Sequence, residues 1–122
     1  MTDNDESSNT LWEKNYLLSQ VGGNAALVIQ LLDMFLADTP NQINELTGAV
    51  EQSNCTEVAS LAHTLKGAAL NLGINSFAAI AKQIEMDAKS NNFESIKKQL
   101  PLLKPAFEKV RLILEDYKNT QE

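Results

Sequence analysis

Ala62-His63-Thr64-Leu65-Lys66-Gly67-Ala68-Ala69-Leu70-Asn71-Leu72-Gly73 carries the only histidine of a 122-residue chain, with a glycine, Gly67, in the middle of what reads as a helix. At about 100° per residue, Val58, Leu61, Leu65, Ala68, Ala69 and Leu72 gather on one side as a core stripe. His63 falls roughly 160–200° from the centre of that stripe, so its imidazole is expected to face water. Ala59 lies four residues before it, and Lys66, Gly67 and Leu70 lie three, four and seven after, so all stack beside or over it. A mid-helix glycine costs about 0.5–1 kcal/mol relative to alanine. Its use here implies that something approaches the helix closely beside His63. A leucine on the same outward face implies that the visitor is partly apolar, hence a protein surface.

The flanking chain extends the helical reading. Residues 1–10 are polar and acidic, and are expected to form a flexible tail ahead of one domain over 11–120. Leu11 to Gln20 predicts a short helix whose Trp12, Tyr16 and Leu17 cover one end of the core. Gly22-Gly23 breaks it, and Asn24 is placed to cap the next helix. Leu27, Leu31, Met34 and Phe35 repeat at helical spacing up to Pro40, and Ile43, Leu46 and Val50 resume it. Two pieces follow, about 24–38 and 40–52, either nearly collinear with a kink or joined by a tight turn. Ser53 or Asn54 opens the histidine helix, and Gly73 ends it as a left-handed cap. Asn75 is expected to cap a helix burying Phe77, Ile80, Ala81, Ile84 and Ala88. After a turn at Asn91-Asn92, a last helix over about 93–118 points Ile96, Leu100, Leu103, Phe107, Val110 and Leu114 inward, with Pro101 and Pro105 bending or delaying its start. The class is all-α: an antiparallel four-helix bundle with a short additional N-terminal helix.

Composition narrows the function. Hydrophobic residues at 43% and charged residues at 21% are ordinary for a globular domain. Ten basic residues against sixteen acidic ones give a net charge of −6, which argues against nucleic acid and against an anionic membrane surface. No apolar run reaches the length of a membrane span, and no basic-then-apolar leader opens the chain. The single cysteine, Cys55, cannot form an intrachain disulfide, so a reducing cytoplasmic setting is expected.

One outward histidine excludes more chemistry than it allows. A metal site in a bundle core needs several inward Glu and His ligands, and zinc fails on ligand count. Cys55 lies eight residues from His63, about 12 Å along a helix, too far for a Cys-His pair. There is no Gly-rich nucleotide loop. What remains is the imidazole as a nucleophile toward phosphorus, with Lys66 one turn on to balance the incoming charge.

His63-Thr64-Leu65-Lys66-Gly67, then Asn71-Leu72-Gly73 and Ile84-Glu85, resembles the signature of histidine-containing phosphotransfer (HPt) domains. Val21-Gly22-Gly23-Asn24 and Phe35-Leu36-Ala37-Asp38-Thr39-Pro40 are also similar to that family's pattern, and the likeness spans roughly residues 12 to 116. The resemblance implies a phosphorelay carrier exchanging phosphate with receiver-domain aspartates of response regulators or hybrid sensor kinases. His63 would be the phosphoacceptor, Lys66 the charge-balancing side chain and Gly67 the close-approach position. Leu70, Ala59, Lys82 and Glu85 would complete the docking face. Glu85 stands where some members place a glutamine; it would orient neutral His63 but repel the phosphorylated form. The carrier would be a cytoplasmic monomer with no cofactor, ATP site or hydrolytic machinery of its own, the receiver supplying magnesium. Two other readings stay open: a phosphoacceptor module cut from a hybrid or chemotaxis-type sensor kinase, and a bundle that binds receivers without passing phosphate.

Overall fold

The computed structural model describes residues 11–121; the acidic tail expected over 1–10 lies outside the described residues. Among residues 14–121 six α-helices follow in order: α1 Lys14–Gln20, α2 Ala25–Glu51, α3 Cys55–Asn71, α4 Asn75–Lys89, α5 Phe93–Gln99 and α6 Leu103–Gln121, with a 3₁₀ turn Leu100–Leu102 between the last two. No strand occurs among the described residues. The long helices α2, α3 and α4 form three staves of the bundle, and α5 with α6 supplies the fourth. α3 packs chiefly on α4 and then on α2.

Local chemistry sets most of the boundaries. Gly22 and Gly23 take φ of 63° and 77°, and Asn24 then accepts a hydrogen bond from the Leu27 amide to start α2. Asn54 and Asn92 do the same for α3 and α5 through the Glu57 and Ser95 amides. Gly73, at φ 78°, ends α3 as expected, and has a second reason to be glycine. Its carbonyl accepts the Glu13 amide at 2.8 Å, and a Cβ there would sit 2.9 Å from the Glu13 carbonyl oxygen. The N-terminal segment is thereby tied to the end of the histidine helix, helped by Trp12, whose indole donates to the Leu72 carbonyl at 2.9 Å and meets Tyr117 edge-on.

The remaining core is apolar and aromatic, with Phe35, Phe77 and Phe107 in mutual contact between α2, α4 and α6.

Several expectations are corrected. α2 runs unbroken through Pro40, so the tight-turn alternative falls. Val28, Leu32 and Phe35 before the proline and Ile43, Leu46 and Ala49 after it are all buried, and their joint burial outweighs the lost ladder bond, about 3 kcal/mol at most positions. Met34 is 61% exposed, and Leu27 also reaches solvent; the inward stripe of α2 runs one position round from them. In α3 the buried set is Val58, Ala62, Leu65 and Ala69, with Leu72 just past its end also buried, while Leu61 and Ala68 are half-buried. Leu100 and Ile80 are also half-buried.

α1 begins at Lys14, and Tyr16 points outward while Trp12 and Leu17 are buried. Asn75 is not a cap: Ile74 holds that position without a side-chain bond, and Asn75 Nδ2 donates to Glu13 Oε1 at 2.9 Å. The last helix is three pieces, because Pro101 suits the first turn of a 3₁₀ segment and Pro105 the first turn of α6, where no amide donor is required. No single helix among the described residues is long and apolar enough to cross a membrane.

Candidate functional site

His63 stands near the middle of α3 with its side chain 66% exposed. The rotation that buries Ala62 and Leu65 turns it outward, as the periodicity predicts. Its surroundings are set by α4, packed alongside. Glu85 projects from α4 into the seam with its side chain 5% exposed and three cationic or proton-bearing groups on its carboxylate. His63 Nδ1 lies 3.0 Å from Oε2, and Lys89 Nζ shares that oxygen at 3.0 Å. Oε1 is sealed from water and faces the Lys66 ammonium at 2.9 Å, off the line of a well-directed hydrogen bond.

Burial by itself would raise the Glu85 pKa. The contacts with Lys66, Lys89 and His63 outweigh it and pull the value down from 4.5 to about 2. An ionised carboxylate only accepts, so Nδ1 must carry the proton it shares with Oε2. The lone pair of a neutral His63 is then on Nε2, the nitrogen that Glu85 does not engage.

The other expected residues divide. Gly67 is on the outer surface, and a Cβ built there meets nothing within 4 Å; it is not a packing glycine between helices. Leu70 is 46% exposed, Ala59 half-buried and Lys82 exposed. As a docking contact Glu85 is corrected, because the side chain lies beneath His63, Lys66 and Lys89 instead of reaching the surface. The geometry does show it engaging the imidazole as an acceptor.

Lys89 was missed by the sequence reading. The signal was there as a Glu-to-Lys pair at i,i+4 on one helix face, but its relevance depends on where α4 sits. A groove of about 250 Å³ between α2 and α3, lined by Leu31, Met34, Asp38 and Ala68 among others, was also missed, since Met34 read as part of an apolar repeat. Among the described residues no group of three or more His, Cys, Asp or Glu side chains is placed to hold a metal ion.

Comparison with known proteins agrees with this fold. Crystal structures with the same fold include histidine-containing phosphotransfer protein B from Pseudomonas aeruginosa PAO1, 20% identical, TM-score 0.84, with 90% of this chain and 96% of that one covered. The HPT domain of a sensor hybrid histidine kinase from Shewanella is 21% identical, TM-score 0.77, with 93% and 97% covered. A histidine-containing phosphotransfer protein from Medicago truncatula is 22% identical, TM-score 0.70, with 77% and 65% covered. No protein with a curated description matches the sequence at a significant level. The Hpt domain model matches residues 30–120, a span that includes His63, Lys66, Glu85 and Lys89. The chain belongs to the Hpt domain family.

Proposed function

We propose that this chain is a phosphorelay carrier whose His63 takes a phosphoryl group from a receiver-domain aspartate and passes it to another. The observation that carries the reading is the exposed imidazole with its Nδ1 engaged by a buried, ionised Glu85. Nε2 attacks the phosphorus of the aspartyl phosphate. An N–P bond forms, the P–O bond breaks, and its electron pair returns to the receiver as a free carboxylate. Lys66 on α3 and Lys89 on α4 then stand near the transferred group, and their flexible stems let them share their charge between Glu85 and the phosphoryl oxygens. The acidic pocket and the magnesium ion belong to the receiver. Open space over Gly67, the exposed Leu70 and the outward Lys82 suit an acidic partner with an apolar centre.

The test is incubation with a panel of labelled, phosphorylated receiver domains. Label is expected to move to the wild-type chain as an acid-labile, base-stable adduct. His63→Gln should take up none while keeping wild-type helicity and a nearly unchanged thermal midpoint, since the side chain lies outside the core. Receivers that bind without losing label would favour the non-transferring bundle instead, and label on the His63→Gln chain would exclude His63 as acceptor.

A further inference from the structure

Building on the phosphocarrier reading, we infer that Glu85 is a positioning residue that keeps the proton on His63 Nδ1 after phosphorylation and so holds the phosphoryl group in its transferable form. When the Nε2 lone pair forms the N–P bond, no proton leaves, and the ring becomes positively charged with hydrogen still on Nδ1. Two fates are open to that ring. If Nδ1 loses its proton, the reverse transfer must expel an imidazole anion, a poor leaving group. If the proton stays, a receiver carboxylate attacks phosphorus, the N–P electron pair returns to Nε2, and neutral imidazole departs without any proton having to move.

The geometry favours the second fate. Glu85 Oε2 lies 3.0 Å from Nδ1 on a side chain only 5% exposed, so the acceptor facing that proton is a carboxylate oxygen largely shielded from solvent. The charged groups facing the carboxylate are Lys66 and His63 from α3 and Lys89 from α4. In the resting state two ammonium ions meet one carboxylate, and the cluster is positive by one. A doubly charged phosphoryl group on a protonated ring brings the total to zero. With a neutral side chain at position 85 the same state would stay positive by one, and shedding the Nδ1 proton would restore balance. The ionised Glu85 therefore matches the cluster to a phosphorylated, protonated ring.

The experiment phosphorylates the full chain with phosphoramidate, removes the donor, and follows the phosphohistidine by ³¹P NMR at neutral pH in wild type and Glu85→Gln. The variant adduct should decay roughly tenfold more slowly, the scale of one charge-assisted hydrogen bond; equal or faster decay would overturn the inference. A second measurement needs no variant. The ¹⁵N shift of Nδ1 in the phosphorylated wild-type chain should be that of a proton-bearing nitrogen at mildly alkaline pH, and a deprotonated signal would overturn the inference whether or not Glu85→Gln folds. Label on a His63→Gln control would defeat the carrier reading itself. Wild-type labelling at His63 with unchanged decay in Glu85→Gln would defeat the inference alone.

Discussion

Two carboxylates lie buried two residues apart on α4, and they turn to opposite neighbours. Glu85 faces α3 and meets Lys66, Lys89 and the His63 ring. Asp87 faces α5, where it accepts from Gln83 Nε2 at 2.9 Å and from the Ser95 hydroxyl. Its own carbonyl takes the Asn92 amide at 2.8 Å. One cluster is built of cations around an exposed ring; the other is built of neutral donors at a helix junction. Burial is nearly equal, at 4% and 6% exposure, so burial does not mark the site. The partners do. Neutral donors are enough to tie α4 to α5, and three charged or proton-bearing partners are more than a tie between helices requires.

The comparison breaks first, and by the largest margin, on phosphoryl transfer. Lys66→Ala should slow uptake from a phosphorylated receiver by about 10–100-fold, the range expected for one charge-stabilising group. Gln83→Ala, on the Asp87 side, should leave the rate within about twofold. Equal effects in quenched-flow transfer assays would erase the distinction drawn between the two carboxylates.

Acid titration probes the same contrast. The folded-state pKa of Glu85 is depressed from 4.5 to about 2, so its ion pairs contribute stability above about pH 4.5. That contribution fades as pH falls from about 4.5 toward 2. It is on the order of 2 kcal/mol once solvent around Lys89 and His63 is allowed for. Urea unfolding at stepped pH should therefore show the wild-type advantage over Glu85→Gln shrinking across that window; a constant difference would remove the linkage.

The smallest effect belongs to the other carboxylate. Ser95→Ala should lower stability by about 1 kcal/mol, through one lost hydrogen bond to a buried acceptor, with phosphoryl uptake unchanged. Impaired uptake would mean that the α4–α5 junction reaches the histidine after all.

Much of the fold was legible because its signals are local. Asn24 and Asn54 announce helix starts through side chains that reach only three residues, and Gly73 announces a stop through its own dihedral; Asn91-Asn92 read only as a turn, and the Asn92 cap came with the structure. Pro40 misled for the opposite reason. Its penalty is local, but the burial on both sides that overrides it comes from packing on α3 and α6, which the local pattern does not contain. Asn75 misled likewise: an asparagine before a helix suggests a cap, and Glu13, 62 residues away, claims its side chain instead.

The sequence by itself determined the all-helical class, the outward turn of His63 with Lys66 and Gly67 beside it, and the pattern that resembles the family. Those follow from periodicity and spacing within single helices. Only the tertiary structure decided that Glu85 would lie under the imidazole and that Lys89 would share its oxygen. Twenty-two residues separate His63 from Glu85, and the contact depends on the rotation and register of α4 against α3. Neither helix's own pattern sets that register; packing of both against the rest of the bundle does.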